Sequence, residues 1–132
     1  FIDSNYRTIA KKQSRAICGL SMGGFHTLYI SLNYPDMFSY SGMFSAAIGT
    51  RDTSVSPIYQ DFDTKLATYF SKKPALLWIG CGNSDFLIQS NQDFVKKLNE
   101  NGYPHEYLEN DGGHIWRNWR IYLTEFVPKI FK

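Results

Sequence analysis

One serine set among glycines constrains this chain more than any other feature. Residues 19–23 read Gly-Leu-Ser-Met-Gly, and Gly24 follows. This is the G-x-S-x-G pattern of a nucleophile elbow, a sharp turn that leaves a strand, lifts a serine hydroxyl off its end and enters a helix. Such a turn dictates its surroundings. A strand must precede it, a helix must follow, and the flanking residues must be small, because a Cβ would obstruct the close approach of strand and helix. The neighbouring sequence complies. Ser14-Arg15-Ala16-Ile17-Cys18 ends in a short apolar run, predicting a buried parallel strand over 14–18. Phe25, Leu28, Tyr29 and Leu32 recur at helical spacing and predict a helix over 23–33. Pro35 stops that helix, since a proline disfavours helical geometry in the residue before it.

The same alternation continues to the end of the chain. Phe1 to Tyr6 reads as the tail of a helix that begins before Phe1. A second strand is predicted near Tyr40–Phe44, and a polar, turn-rich loop over 49–56. A helix is expected over Pro57–Phe70, with Pro57 in its first turn, packed across the strand ends as a small insertion. Ala75–Gly80 is a third strand, Asp85–Asn101 a helix stopped by Gly102, and His105–Leu108 a fourth strand. Ile115–Phe131 is a final amphipathic helix carrying Trp116, Trp119, Tyr122, Leu123, Phe126 and Ile130. Strand and helix repeated four times predict an α/β fold, a parallel sheet with flanking helices. The sequence has no internal repeat, low-complexity tract or linker.

Composition excludes several function classes. A length of 132 residues suffices for one domain with a real core. The formal net charge is only +2, and the basic residues are scattered, so nothing argues for a nucleic-acid partner. No apolar run is long enough to span a bilayer, and no signal-peptide pattern opens the chain. Two cysteines are too few for a disulfide framework. Cys18 and Cys81 end different strands, and with one strand between them they lie about 9–10 Å apart, beyond disulfide reach. Both are expected to be buried free thiols. The many aromatic residues are mostly core, with a few available to line a pocket for a sugar or aryl group.

A serine hydroxyl needs a histidine to accept its proton and an acid to orient that imidazole. In an open parallel sheet these must gather beyond the carboxyl ends of the strands. Of three histidines, His26 lies within the helix after the elbow, and His105 opens a strand at the wrong end of the sheet. His114 follows the last strand in a Gly112-Gly113 loop at the correct end. Asp85 follows the third strand in Cys81-Gly82-Asn83-Ser84-Asp85, where it could also cap a helix. Asp111, in the histidine's own loop, is its rival. The chain order Ser21, Asp85, His114 is that of α/β-hydrolases.

Three segments carry a wider resemblance: Ala16 to Gly24, Tyr34-Pro35-Asp36-Met37-Phe38, and Gly112-Gly113-His114-Ile115-Trp116-Arg117-Asn118-Trp119-Arg120. Over essentially its whole length the chain resembles the feruloyl esterase and acetylxylan esterase family of α/β-hydrolases, with relatives among siderophore esterases and the esterase D group. The resemblance implies that Ser21 is the nucleophile, Asp85 the orienting acid and His114 the general base. It further implies ester hydrolysis through an acyl-enzyme, no metal or organic cofactor, an acylated polysaccharide or oligosaccharide as substrate, and a secreted or periplasmic location. Leu20, Phe86 and Trp116 are candidate substrate-binding residues, and Met22 flanks the site with them.

One departure shapes the expectation. In α/β-hydrolases the elbow follows the fifth strand, whereas only twenty residues precede Ser21. Residues 1–132 therefore resemble the C-terminal part of a single domain whose first strands are missing. The backbone N–H of Met22 supplies one oxyanion donor, and the second, from an earlier loop, is absent. Losing one such donor costs on the order of 10²–10³ in rate. Strand 14–18 becomes an apolar edge that invites pairing with a second copy or with the missing segment. Two alternatives stand beside the xylan esterase reading: a non-catalytic fragment or assembly module, and an esterase for a siderophore or small thioester.

Overall fold

The computed structural model describes residues 1–49 and 59–132. A single exposed turn of helix, α1 (Ile2–Asn5), comes first. Its Asp3 pairs with Arg15 and accepts from Thr8 Oγ1 at 2.7 Å. Strand β1 spans Ala16–Leu20, two residues beyond the expected 14–18, because a 3-10 turn over Lys12–Ser14 occupies the earlier residues. Helix α2 (Met22–Asn33) and strand β2 (Tyr40–Phe44) follow. Next come α3 (Phe62–Ser71), β3 (Leu76–Gly82), α4 (Ile88–Glu100), β4 (Glu106–Asn110) and α5 (Trp116–Phe126). The expected loop over 49–56, apart from Gly49, and the expected first-turn Pro57 lie outside the described residues.

The strands form one parallel sheet in the order β1-β2-β3-β4. Crossovers of one hand that step along a sheet in a single direction put their helices on one face. Accordingly α2, α3 and α4 share a face. Leu28 and Leu32 of α2, Leu66 and Tyr69 of α3, and Phe94, Val95 and Leu98 of α4 pack there with Met43, Leu77 and Ile79 of the sheet. Helix α5 covers the opposite face, where Trp119, Tyr122 and Phe126 meet Tyr40, Phe44 and Trp78. Each central strand alternates between the two layers, as period two demands.

Four expectations need correction. Helix α3 is a crossover that buries Leu66 and Tyr69 in the main core, not an insertion across the strand ends. Asp85 precedes α4 instead of opening it: its Oδ1 accepts from Leu87 N at 2.9 Å, so the helix starts at Ile88. Cys18 is exposed, whereas Cys81 is buried, and both are free. Cys18 faces the α5 layer from an edge strand, where α5 reaches only as far as Phe126 beside Gly42. The final helix also ends early, because Pro128 turns residues 127–129 into a 3-10 turn.

Candidate active site

Ser21 sits between β1 and α2 with φ 53° and ψ −117°, a conformation unusual for a residue with a Cβ. Three backbone bonds hold it there. Ser21 N donates to Phe44 O at 2.8 Å, and Ser21 O accepts from Phe25 N at 3.2 Å and from Ala47 N at 3.0 Å. The surrounding glycines act by space and not by backbone freedom. A Cβ on Gly19 would strike the backbone of Gly23, and one on Gly24 would lie 2.8 Å from Ala46 Cβ. Gly23 itself has open space on that side. Met22 opens α2, where first-turn N–H groups have no partner inside the helix.

Ser21, singled out by its glycine motif, meets His114 and Asp85, singled out by strand-end position. His114 Nε2 lies 3.0 Å from Ser21 Oγ. His114 Nδ1 lies 2.9 Å from Asp85 Oδ2 and 3.1 Å from Oδ1. The Asp85 side chain is fully buried, and that of His114 is 19% exposed, so the acid is shielded while the imidazole can be reached. Asp85 therefore serves both its local turn and the histidine. The rival Asp111 is occupied elsewhere, its carboxylate accepting from Asn83 Nδ2 at 3.0 Å. His26 is exposed on α2, and His105, just before β4, contacts Tyr103 O at 2.8 Å through Nδ1.

Aromatic rings bracket the imidazole. Phe86 lies over His114 at 4.7 Å between ring centroids, and Trp119 meets it edge to face at 4.9 Å. Trp116 in turn meets Trp119 edge to face at 5.1 Å. Phe86 is 77% and Trp116 66% exposed, so Phe86 presents an open ring beside His114 and Trp116 one beside Trp119. Met22 is also exposed, whereas Leu20 is half-buried against the α5 layer. Of the expected pocket walls, Phe86 touches the triad directly, Trp116 reaches it through Trp119, and Leu20 serves the core.

Several supporting residues escaped the sequence reading. Trp119 was legible as part of a motif but not as the wall behind His114. Its Nε1 donates to Ser45 Oγ at 3.2 Å. Ser45 leaves β2 as Ser21 leaves β1, with φ 46° and its N–H bonded to Gly80 O at 2.7 Å. Asn83, Asn110, Asn118 and Tyr122 tie the Asp85 and His114 loops together. Asn83 N donates to Asn110 O at 2.8 Å, and Ser84 N to Gly112 O at 3.0 Å. Gly112 takes φ 102°, and a Cβ on Gly82 would run into its carbonyl oxygen. The one available signal was Asn118 and Tyr122 at i, i+4 spacing on the apolar stripe of α5, where a polar group demands a partner.

Beside the triad, burial and then the Asp85 charge push the Cys81 thiol up to about 12. Among the described residues, no group of three or more His, Cys, Asp or Glu side chains could hold a metal ion. No described helix is long and apolar enough to cross a membrane. The arrangement has the parts of nucleophilic acyl transfer: a hydroxyl, an imidazole between it and a buried carboxylate, and a helix N-terminus behind the hydroxyl.

Comparisons with known proteins give the family and the fold. The family model described as "Putative esterase" matches residues 1–130. An endo-1,4-beta-xylanase/feruloyl esterase of Xylanibacter ruminicola is 31% identical over 132 residues, covering 99% of this chain and 16% of that protein. An acetyl esterase of Caldicellulosiruptor saccharolyticus is 26% identical over 152 residues, covering 91% of this chain and 56% of the relative. The ferulic acid esterase of Anaeromyces mucronatus, solved with ferulic acid, superposes with a TM-score of 0.81 at 25% identity. That match covers 98% of this chain and 49% of the solved one. The fold is thus that of the α/β-hydrolase esterases, and the chain spans about half the length of the solved structure and less of the xylanase/feruloyl esterase.

Proposed function

Because the chain belongs to the esterase family whose model spans residues 1–130, we propose that it carries the catalytic triad of a serine carboxylic-ester hydrolase, as the C-terminal part of a single domain. The observation behind this reading is the unbroken file from Ser21 Oγ through both imidazole nitrogens to the buried Asp85 carboxylate. His114 Nε2 takes the Ser21 proton as Oγ attacks the ester carbonyl carbon. The carbonyl oxygen becomes an oxyanion beside the Met22 N–H, and Asp85 stabilises the imidazolium. Collapse breaks the bond to the alcohol oxygen, which leaves with the proton from His114, and Ser21 retains the acyl group. His114 then activates a water that attacks the acyl carbon. Ser21 recovers its proton as the carboxylic acid departs.

The substrate class is acylated xylan, with feruloyl esters ahead of acetyl esters. Support comes from the 31% identity to a protein named xylanase/feruloyl esterase and from the fold match to a ferulic acid complex. The acetyl esterase relative, at 26% identity, supports the second acyl group. Proton hand-over supplies a local argument for the sugar. The leaving oxygen must reach His114 Nε2, and we assign the alcohol to the neighbouring exposed rings of Phe86 and Trp116, which suit the C–H face of a pyranose or furanose. Action on such a polymer requires a secreted or periplasmic protein. The open edge of β1, paired only with β2 among the described residues, suits a strand from the rest of the domain or a second copy.

Hydrolysis of a feruloylated arabinoxylan oligosaccharide, methyl ferulate and acetylated xylan tests the reading. Ferulate release from the sugar ester is expected, falling on the order of 10⁶-fold in Ser21→Ala. Phe86→Ala and Trp116→Ala are expected to slow the sugar ester more than the methyl ester. A Ser21→Ala protein with an unchanged rate would rule out the mechanism, and equal losses on both esters would rule out the sugar-side assignment.

A further inference from the structure

Behind the histidine loop three polar side chains stand in file. Tyr122 Oη donates to Asn110 Oδ1 at 2.7 Å. Asn110 Nδ2 donates to Asn118 Oδ1 at 3.1 Å. Asn118 Nδ2 donates to Gly113 O at 3.1 Å. That carbonyl belongs to the peptide group that carries His114 N, so the last bond holds the plane from which the imidazole extends. Asn118 and Tyr122 are completely buried.

The file has one direction, and the Gly113 carbonyl, which can only accept, sets it. Asn118 must turn its amide nitrogen to Gly113 and receive with its oxygen. Asn110 in turn must give its amide nitrogen to Asn118 and its oxygen to Tyr122. Burial, reinforced by Asp85 and Glu109, pushes the Tyr122 hydroxyl well above the ordinary tyrosine range, so it keeps the proton it donates. Bonds aligned this way polarise one another. The neighbouring carbonyl is pinned from the other loop, since Gly112 O accepts from Ser84 N at 3.0 Å, one residue before Asp85. The loop bearing the imidazole is therefore held from α5 on one side and from the Asp85 loop on the other.

We propose that Tyr122, Asn110 and Asn118 form one positioning unit that sets the reach of His114 to Ser21 and Asp85 through the Gly113 carbonyl. None of the three touches Ser21 or His114 by a side-chain hydrogen bond, so their effect is on geometry. As a contribution to catalysis this rests on the esterase reading; as a statement about His114 it does not. A misplacement of about 1 Å at a catalytic group costs on the order of 10²-fold in rate.

The test compares the protein with its Asn118→Leu, Tyr122→Phe and doubly substituted forms. The first readout is the low-field Nδ1–H proton resonance of His114, which reports its bond to Asp85 without any substrate. The second is kcat and KM on an aryl acetate. Asn118→Leu and Tyr122→Phe are each expected to shift or broaden the resonance. They should lower kcat by about 10- to 100-fold with KM unchanged within about twofold. The double form should be no worse than Asn118→Leu alone, because members of one unit are not additive. Should Asn118→Leu fail to fold, Tyr122→Phe, which removes a single oxygen, carries the test. A folded Tyr122→Phe protein with the resonance and kcat unchanged overturns the proposal. If the protein turns over no ester, the resonance alone still decides whether the unit positions His114.

Discussion

Ser21 holds a backbone conformation that costs about 1–3 kcal/mol in a residue with a Cβ, and its bonds to Phe44, Phe25 and Ala47 keep it there. The nearby glycines make that possible by leaving room. The tightest case lies across the site, where a Cβ on Gly82 would meet Gly112 O and approach Asn118 Nδ2 to 2.7 Å. Gly82→Ala is therefore expected to cost about 1–3 kcal/mol and to slow ester turnover, whereas Gly23→Ala, which meets open space, leaves stability within about 1 kcal/mol. Urea unfolding of both variants checks the contrast. The two thiols differ in the same local way. The thiolate is the reactive form, and the Cys81 thiol is buried with its ionisation pushed up to about 12. Burial also raises Cys18, but that residue is exposed. An aromatic disulfide reagent at pH 8 is expected to modify Cys18 alone in the folded protein and both thiols in denaturant. Rapid modification of Cys81 without unfolding would contradict its burial.

Elements were legible to the extent that their signals are local. The order of strands and helices, and the bounds of β2, follow from apolar runs and turn residues next to one another in sequence. The residues of the site were legible for a related reason: the glycine motif singles out Ser21, and in a parallel sheet being after a strand places a residue at the same end as Ser21, which separates His114 from His105. What could not be read depends on neighbours distant in sequence. Cys18 is apolar in pattern yet exposed, because burial on an edge strand is decided by what lies beside it. Asn110, Asn118 and Tyr122 look like ordinary polar interruptions until α5 is laid against β4. Asp85 reads as a helix cap, and only the bonding of its Oδ1 to Leu87 N shows the helix starting later. Helix α4 tests the packing account, since its Leu98 is fully buried against the sheet. Leu98→Ala is expected to destabilise by about 2–5 kcal/mol. In thermal unfolding, the loss should appear as a lower Tm with the folded-state circular dichroism unchanged.

At the scale of the molecule, the sheet has two unlike edges. β4 carries Glu106 and Glu109, charges of the kind that blunt an edge, whereas β1 reads Ala-Ile-Cys-Gly-Leu and offers an apolar one. The 132-residue chain on its own is expected to associate at micromolar concentration, and Ile17→Lys should reduce that association; light scattering reads both. The triad lies at the carboxyl end of the same sheet, assembled from the three loops that follow β1, β3 and β4. Its chemistry is the central claim, and it is tested most directly by an active-site phosphonylating reagent that needs an activated serine but no particular substrate. Incubation of the folded protein with a fluorophosphonate, followed by peptide mass spectrometry, is expected to find a single adduct on Ser21, absent in Ser21→Ala and strongly slowed in His114→Ala. No adduct on the folded protein, or an adduct that survives Ser21→Ala, would contradict the assignment of Ser21 as the nucleophile.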